Sequence, residues 1–268
     1  MLRRPFGKIG RIMDRVAVLA DIHGNLPALE AVLADVERAG VDLIVLNGDL
    51  ADGPFPVETL DLLAGLGNRA LWLRGNGDRW LVEARTGRFN HPDPATEELI
   101  HWASKRISDA QHDRLVVLPL LHRLSVAGLG KVGLCHATCR SDNEMFLVDG
   151  TLTQAEAAFA SLDAETIVVG HCHMPFDRLA NRRRVVNAGS VGMPYGHPGA
   201  SWALLGPDIV LKRTLFDVEQ AAQRILATGM PGAEQFVLTY VRATPSDAEA
   251  LDAYHAVVRR QQDAADFG

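Results

Sequence analysis

Seven residues of this chain have types and spacings that suit one piece of chemistry: Asp21, His23, Asp49, Asn76, His136, His171 and His173. They fall in five short segments, LADIHGN, LNGDLADG, LRGNGD, LCHA and VVGHCHMP. Carboxylate and carboxamide oxygens mixed with imidazole nitrogens, with no thiolate among them, are donors for divalent first-row ions such as Mn, Fe, Co, Ni or Zn. In D-x-H, and again in H-C-H, residues two apart on an extended segment point to one side and can grip one ion together. On the same argument Cys172 faces away, as a small buried filler. Asp49 adds a carboxylate able to bridge two ions, Asn76 a neutral carbonyl oxygen, and His136 another nitrogen. Seven donors are too many for one first-row ion with an open position, and they suit two. Two ions about 3.5–4 Å apart activate a water and clamp both oxygens of an in-line phosphoryl displacement. A single-zinc hydrolase would leave Asp49 and Asn76 without a role. A lone D-x-H is more often a surface pair, and GNGD alone is usually a turn. The weight lies in all five segments standing at strand-to-loop junctions.

Those junctions are read from hydrophobic runs. VAVLA (16–20) reads as a buried strand ending in DIHGN; Asn25 then stands as a helix N-cap with Pro27 in the first turn, before LPALEAVLADVERAG, which Gly40 ends. A strand (42–46), a Gly/Asp-rich loop, a helix (57–66) and a strand (69–73) follow. Such alternation predicts parallel pairing with right-handed crossovers, and an open α/β sheet presents its ligands beyond the carboxyl ends of its strands. Residues 78–118 read as a helical insert, with a capping box at Ser108, and carry Arg85, Arg88 and Arg106. Beyond it the pattern changes to hairpins: HRLSVA with KVGLCHA, FDRLA with RRVVN about Asn181, and SWALL with IVLKRTLF about GPD. A helix is expected after Thr153, a strand at 166–170, and closing helices from Asp217 and after Pro245. Helical connections first and hairpins later point to two sheets packed face to face with helices outside.

The 268 residues, 47% hydrophobic and 22% charged, are enough for one large domain. A net charge of −6 argues against nonspecific nucleic-acid binding, which needs a basic field, but not against a small phosphorylated substrate, because bound dications reverse the local sign. Three cysteines, an odd number without framework spacing, fit a reduced, cytoplasmic setting. Residues 1–14, basic but without a signal-peptide core, read as a disordered extension, and 15–268 as a single domain with the insert and the C-terminal helices. No window approaches a membrane span.

The order D-x-H, GD-x-x-D-G, GN-x-D, H and GH-x-H, here DIH (21–23), GDLADG (48–53), GNGD (75–78), HA (136–137) and GHCH (170–173), resembles the calcineurin-like metallophosphoesterases. NAGSVGMP (187–194) is similar to a stretch of their small bacterial phosphodiesterase branch. The resemblance runs from residue 16 to about 215. It implies a four-layer αββα sandwich, with two mixed β-sheets face to face and helices outside, and a dimetal site at the sheet edges. It further implies that Asp21, His23 and His173 hold one ion, that Asn76, His136 and His171 hold the other, and that Asp49 bridges. The activity expected is hydrolysis of P–O bonds by a metal-bridging hydroxide, with Mn the leading ion ahead of Fe, Ni, Co or Zn, and with Asn76 also meeting the substrate.

One position departs from the pattern. Much of the family has a histidine where this chain has Gly77, and that histidine contacts the phosphate or protonates the leaving group. No general acid is therefore carried over, and Asp52, which would orient that histidine, has no partner on this reading. His197, in MPYGHPG, is the best substitute by motif proximity and His91 a weaker one; His101, His112, His122 and His255 read as surface or packing residues. Arg85, Arg88 and Arg106 suit either a phosphate-binding lid or a solvated helix face. The departure favours phosphodiesters over monoesters, with a protein-phosphatase-like or dinucleoside-polyphosphate hydrolase activity next. A small phosphorylated substrate, phosphopeptides included, is the expected partner, with neither membrane nor nonspecific nucleic acid. A non-catalytic scaffold on the same fold is the rival from another class, and the complete donor set weighs against it.

Overall fold

The computed structural model describes residues 12–266. Of the expected extension, 1–11 lie outside the described residues. Ile12 and Met13 instead form a short strand, β1 (Ile12–Met13), paired in parallel with Ser125 and Val126. In β2 (Val16–Leu19) every side chain is buried, as in a strand covered on both faces. Helix α1 (Leu26–Ala39) begins at Asn25, whose side chain accepts from the Ala28 amide, and ends at Gly40 in the left-handed region. The unit repeats through β3 (Leu43–Asn47), α2 (Pro56–Gly65) and β4 (Ala70–Leu73). Helices α3 (Asn76–Arg85), α4 (Pro94–Ser104) and α5 (Asp109–Val116) fill the insert, with the Ser108–Gln111 capping box at the head of α5.

The second half opens with the hairpin β5 (Leu121–Val126) and β6 (Gly130–Cys135). Helix α6 (Leu152–Ala158) is capped by Thr151, two residues before the expected Thr153, because its hydroxyl meets the Gln154 amide in a capping box. Then come β7 (Thr166–Val169), the hairpin β8 (Phe176–Ala180) and β9 (Arg183–Asn187), and the hairpin β10 (Ala200–Leu205) and β11 (Ile209–Thr214). Helix α7 (Val218–Leu226) follows Asp217; a short α8 (Ala233–Phe236) running into a π-helical turn (Val237–Arg242) precedes α9 (Asp247–Asp266). Among the described residues no helix is long and apolar enough to cross a membrane.

The strands form two mixed sheets, ordered β1-β5-β6-β7-β9-β8 and β11-β10-β2-β3-β4. Residues two apart face one side, so each central strand divides between two cores. Val16, Val18, Val45, Val132, Val168, Val186 and Ala203 meet between the sheets. Leu19, Ile44 and Leu46 face outward onto Leu29, Val32 and Val36 of α1 and onto the insert's Leu81, Ile100 and Leu115. On the other side Ile167 and Val185 face Ala155 and Ala158 of α6, Phe159, and Ala250 of α9. The layering is α, β, β, α.

Candidate metal centre

The parallel strands β2, β3 and β4 of one sheet, and β6 and β7 of the other, end at one place. Asp21 and His23 follow β2, Asp49 follows β3, Asn76 opens α3 after β4, His136 follows β6, and His171 and His173 follow β7. Beyond the strands the loops stay locked together. The Asp21 and His23 amides donate to the carbonyls of Gly48 (3.0 Å) and Asp49 (2.9 Å), and the Gly170 amide donates to His136 O (2.7 Å). Across the sheets the His171 amide donates to the Asp21 carboxylate at 3.0 and 3.1 Å.

The pairs Asp21/His23 and His171/His173 do come together, but not through an extended backbone. Asp21, His23, Asp49, His171 and His173 have φ of 54, 47, 52, 68 and 56°, and Asn181 is the only other non-glycine residue with positive φ among the described residues. The left-handed region costs a β-carbon roughly 1–2 kcal/mol, and its concentration at these positions marks strain held in place by the surrounding packing. It turns the chain sharply at each strand end and aims the side chains into the junction.

Three overlapping groups of ligand atoms result among the described residues, Asp21/His23/His173, Asp49/His136/His171 and His23/Asp49/Asp52, each drawn within 4.8 Å. Asp49 reaches both of the first two: its Oδ2 lies 3.8 Å from His23 Nε2 and 3.4 Å from His136 Nε2. The ring partners fix what each nitrogen offers. His136 Nδ1 donates to Asn47 O (2.7 Å) and His173 Nδ1 to Met193 O (2.9 Å), since a carbonyl only accepts, so in the neutral rings both Nε2 atoms are lone pairs. His23 Nδ1 lies 3.0 Å from Asp52 Oδ2, which leaves its Nε2 facing His173 Nε2 at 3.0 Å. Two ring nitrogens at that distance need a proton or a cation between them. His171 Nε2 is buried with no hydrogen-bond partner among the described residues. The Asn76 carboxamide lies 2.9 Å from His171 Nδ1 and 3.1 Å from the Asp142 carbonyl. With its nitrogen turned to them it donates to both, and with its oxygen turned to them three acceptors converge, an arrangement that a cation stabilises. The donor set therefore fits metal ions on this structure's own evidence.

Without ions, protons take their place. Burial works to lower His23 and His136, but the Asp52 carboxylate raises His23 to about 9 and the Asp49 and Asp21 carboxylates raise His136 to about 10. Burial and the neighbouring His136 charge push His171 down to about 4. Burial would raise Asp49, but the His136 charge holds it well below the usual carboxylate range.

Several supports were not anticipated from the sequence. Asp78 accepts from the amides of Asp49 (3.0 Å), Leu50 (3.0 Å) and Gly75 (2.9 Å), pinning the Asp49 turn; burial and the Asp49 charge raise it to about 7. The NAGSVGMP stretch braces the first turn through Ser190 Oγ on Asp21 O (2.7 Å) and Asn25 Nδ2 on Gly192 O (3.0 Å). Asp52, expected to have no partner, is bonded to His23. Arg74 and Arg79, which flank GNGD in sequence, both hold Asp142 beside Asn76 at 2.9 and 3.0 Å. Arg85 instead binds Ile107 O and Asp109, Arg88 binds Thr86, and Arg106 stacks on Trp102, all inside the insert. His197 is exposed, and His91 sits between Trp80 and Phe89. Cys172 is buried and takes a hydrogen bond from Asn187. All three tyrosines of the chain gather at one flank, with Tyr195 stacked on His173 at 5.7 Å and contacting Tyr240 and Tyr254; the MPY of MPYGHPG was the available signal.

The model of the calcineurin-like phosphoesterase superfamily domain matches residues 15–208. The chain is 25% identical over 220 residues to phosphodiesterase YfcE of Escherichia coli K12, covering 79% of this chain and 97% of that one. A shorter stretch, 37% of this chain and 42% of the other, is 33% identical to the symmetrical bis(5'-nucleosyl)-tetraphosphatase of Vibrio vulnificus. Among solved structures, a metallophosphoesterase from Sphaerobacter thermophilus superposes with a TM-score of 0.67 at 24% identity, covering 83% of this chain and 97% of that one.

Proposed function

This chain belongs to the calcineurin-like phosphoesterase superfamily, and from that premise we propose that it is a phosphodiesterase working with two divalent ions, Mn²⁺ foremost. The observation that carries the reading is the pair of ring nitrogens, His23 Nε2 and His173 Nε2, facing each other at 3.0 Å among buried carboxylates. Asp21, His23 and His173 would hold one ion, Asn76, His136 and His171 the other, with Asp49 shared. Such a pair, when bound, lowers the pKa of a water towards neutrality and offsets charge gathering on phosphoryl oxygens.

The chain's own residues do the rest. Asn76 presents its carboxamide at the first turn of α3, where unpaired helix amides favour negative charge. The Gly77 amide of that turn donates to Asp49 Oδ1 at 2.6 Å and holds the shared carboxylate in place. Arg74 and Arg79, about one-third exposed and fixed on Asp142, with Arg79 also paired to Glu83, place guanidinium donors beside Asn76 for the substrate's phosphate. Gly77 has no side chain with which to protonate a leaving group. An acid of that kind contributes typically 10²- to 10⁴-fold, so substrates whose leaving group is already acidic lose least. Aryl diesters meet that condition, and so does a polyphosphate chain, which keeps dinucleoside polyphosphates as a second substrate class in view of the tetraphosphatase likeness.

The test is a panel of aryl phosphomonoesters, aryl phosphodiesters and dinucleoside polyphosphates, assayed with chelated protein before and after Mn²⁺ is restored. Mn²⁺-dependent turnover, greatest on the aryl diester and lost in Asp49→Ala and His136→Ala, is expected. Metal-loaded protein inert on every member would overturn the reading.

A further inference from the structure

Asp52 is 6% exposed, its Oδ2 bonds His23 Nδ1 at 3.0 Å, and its Oδ1 has no hydrogen-bond partner among the described residues. A buried carboxylate left half-satisfied is costly, so stability is a poor reason for it to be there. Orientation is a better one. His23 sits on a left-handed turn with φ of 47°, and its ring has to be aimed by something beyond the strand. A carboxylate accepting from Nδ1–H keeps the proton on that nitrogen and leaves Nε2 as the lone pair, directed at His173 Nε2, Asp49 and Asp21 at 3.0, 3.8 and 4.0 Å.

The second half of the device is Gly77. A β-carbon there would stand 2.5 Å from Asp52 Cγ and 2.7 Å from Oδ1, and closer still to Oδ2. Gly77 lies outside the left-handed region, so its backbone would accept alanine, and the three nearest atoms a β-carbon would meet all belong to the Asp52 carboxylate. A side chain at 77 would therefore force the Asp52 carboxylate to shift from its present place beside His23.

We propose that Asp52 is a positioning residue that aims His23 Nε2 at the metal centre, and that glycine at 77 is the vacancy that lets it do so. The proposal rests on the dimetal reading above and adds a role for two residues outside the seven expected ligands.

Calorimetric titration of the metal-free 268-residue chain with Mn²⁺ tests it. The wild type takes up two ions. In Asp52→Ala the affinity for one of them falls by about 10- to 100-fold, the usual effect of removing a ligand's hydrogen-bonding partner, while the other is unchanged. Asp52→Asn, whose carboxamide oxygen still accepts from Nδ1–H, restores most of the loss. Gly77→Ala weakens the same ion, and Asp52→Ala/Gly77→Ala is no weaker than Asp52→Ala alone, because Gly77 acts only through Asp52. If Asp52→Ala does not fold, Gly77→Ala and Asp52→Asn make the comparison. Wild-type affinity for both ions in Asp52→Ala and Gly77→Ala, or additive losses in the double variant, overturns this proposal alone. A wild type that binds neither ion overturns the dimetal reading, and this proposal with it.

Discussion

With ions held as proposed, protons and divalent ions would compete for the same nitrogens, and His23, His136 and His171 each have a definite pH signature. His23 and His136, raised from 6.5 to about 9 and about 10 against their burial, bind their protons more tightly folded than unfolded. The stability they contribute is present in full below about pH 6.5 and is lost as pH rises through 9 to 10. His171, lowered to about 4 by burial and by His136, acts in the opposite sense and only below 6.5, so it does not mask the loss on the alkaline side. Metal-free protein should therefore melt at progressively lower temperature from pH 7 to pH 10. The Mn²⁺-loaded protein, whose ligand nitrogens must be proton-free, should not follow that slope. The same linkage predicts that Mn²⁺ uptake at pH 7.5 releases protons from His23 and His136, seen as a dependence of the binding heat on the buffer's ionisation enthalpy. Binding heats equal in Pipes and Tris would show that neither ring carries the extra proton.

Strand ends do the aiming, and there the sequence was informative about where and wrong about how. Unbroken hydrophobic runs marked β2, β3 and β7 because each strand buries side chains in two cores, and turn residues between paired segments marked the hairpins. Asn25, Ser108 and Asp217 marked helix starts because their side chains cap nearby amides, an interaction only three residues long. β1, two residues long, and the four-residue α8 with its π-helical turn carry no period, and tertiary packing decides them. The left-handed backbone at Asp21, His23, Asp49, His171 and His173 was not read from the sequence: Asp and His are enriched there, but only a few per cent of non-glycine residues adopt it. The distant partners of Asp52, Asp78 and Arg79 were missed for another reason: they lie 29, 28 to 29 and 63 residues away in sequence. What the turns require is room. A β-carbon on Gly170 would come within 2.6 Å of Asp21 Oδ2 and 2.7 Å of Ala20 Cβ, although its own φ is not left-handed. Gly170→Ala should displace the Asp21 carboxylate, leaving a folded protein with an unchanged far-UV circular dichroism spectrum but with Mn²⁺ stoichiometry and diester turnover sharply reduced. Unchanged stoichiometry would mean that the turn has more slack than the contacts indicate.

At the scale of the whole molecule, neither sheet owns the site. Asp21, His23, Asp49 and Asn76 come from the loops of one sheet, and His136, His171 and His173 from the loops of the other, so the centre exists only when the core between the sheets is closed. Direct bonds across that seam are polar and include Asn47 Nδ2 to Cys135 O at 3.0 Å, His136 Nδ1 to Asn47 O at 2.7 Å, the His171 amide to Asp21, and the Arg74 and Arg79 pairs with Asp142. Ions held as proposed would take ligands from both sheets, so they bind the native state and have no preformed site in the unfolded chain. Each then stabilises by RT ln(1 + [L]/Kd), about 2.7 kcal/mol at a hundred times its Kd. For a chain of this size one kcal/mol moves the midpoint by roughly 2–4 °C. Chelation should accordingly lower Tm by about 5–10 °C for each ion removed, reversibly on Mn²⁺ return. Asp49→Ala, which lacks the carboxylate placed between the two groups, should show little of the shift. Val168→Ala, a cut in the core between the sheets rather than in the site, separates the two contributions. It should lower Tm with and without chelator by the same amount, because the cavity it leaves costs the fold and not the ligands. A chelator shift that shrinks in Val168→Ala as much as in Asp49→Ala would instead mean that the inter-sheet core and the metal centre form one cooperative unit.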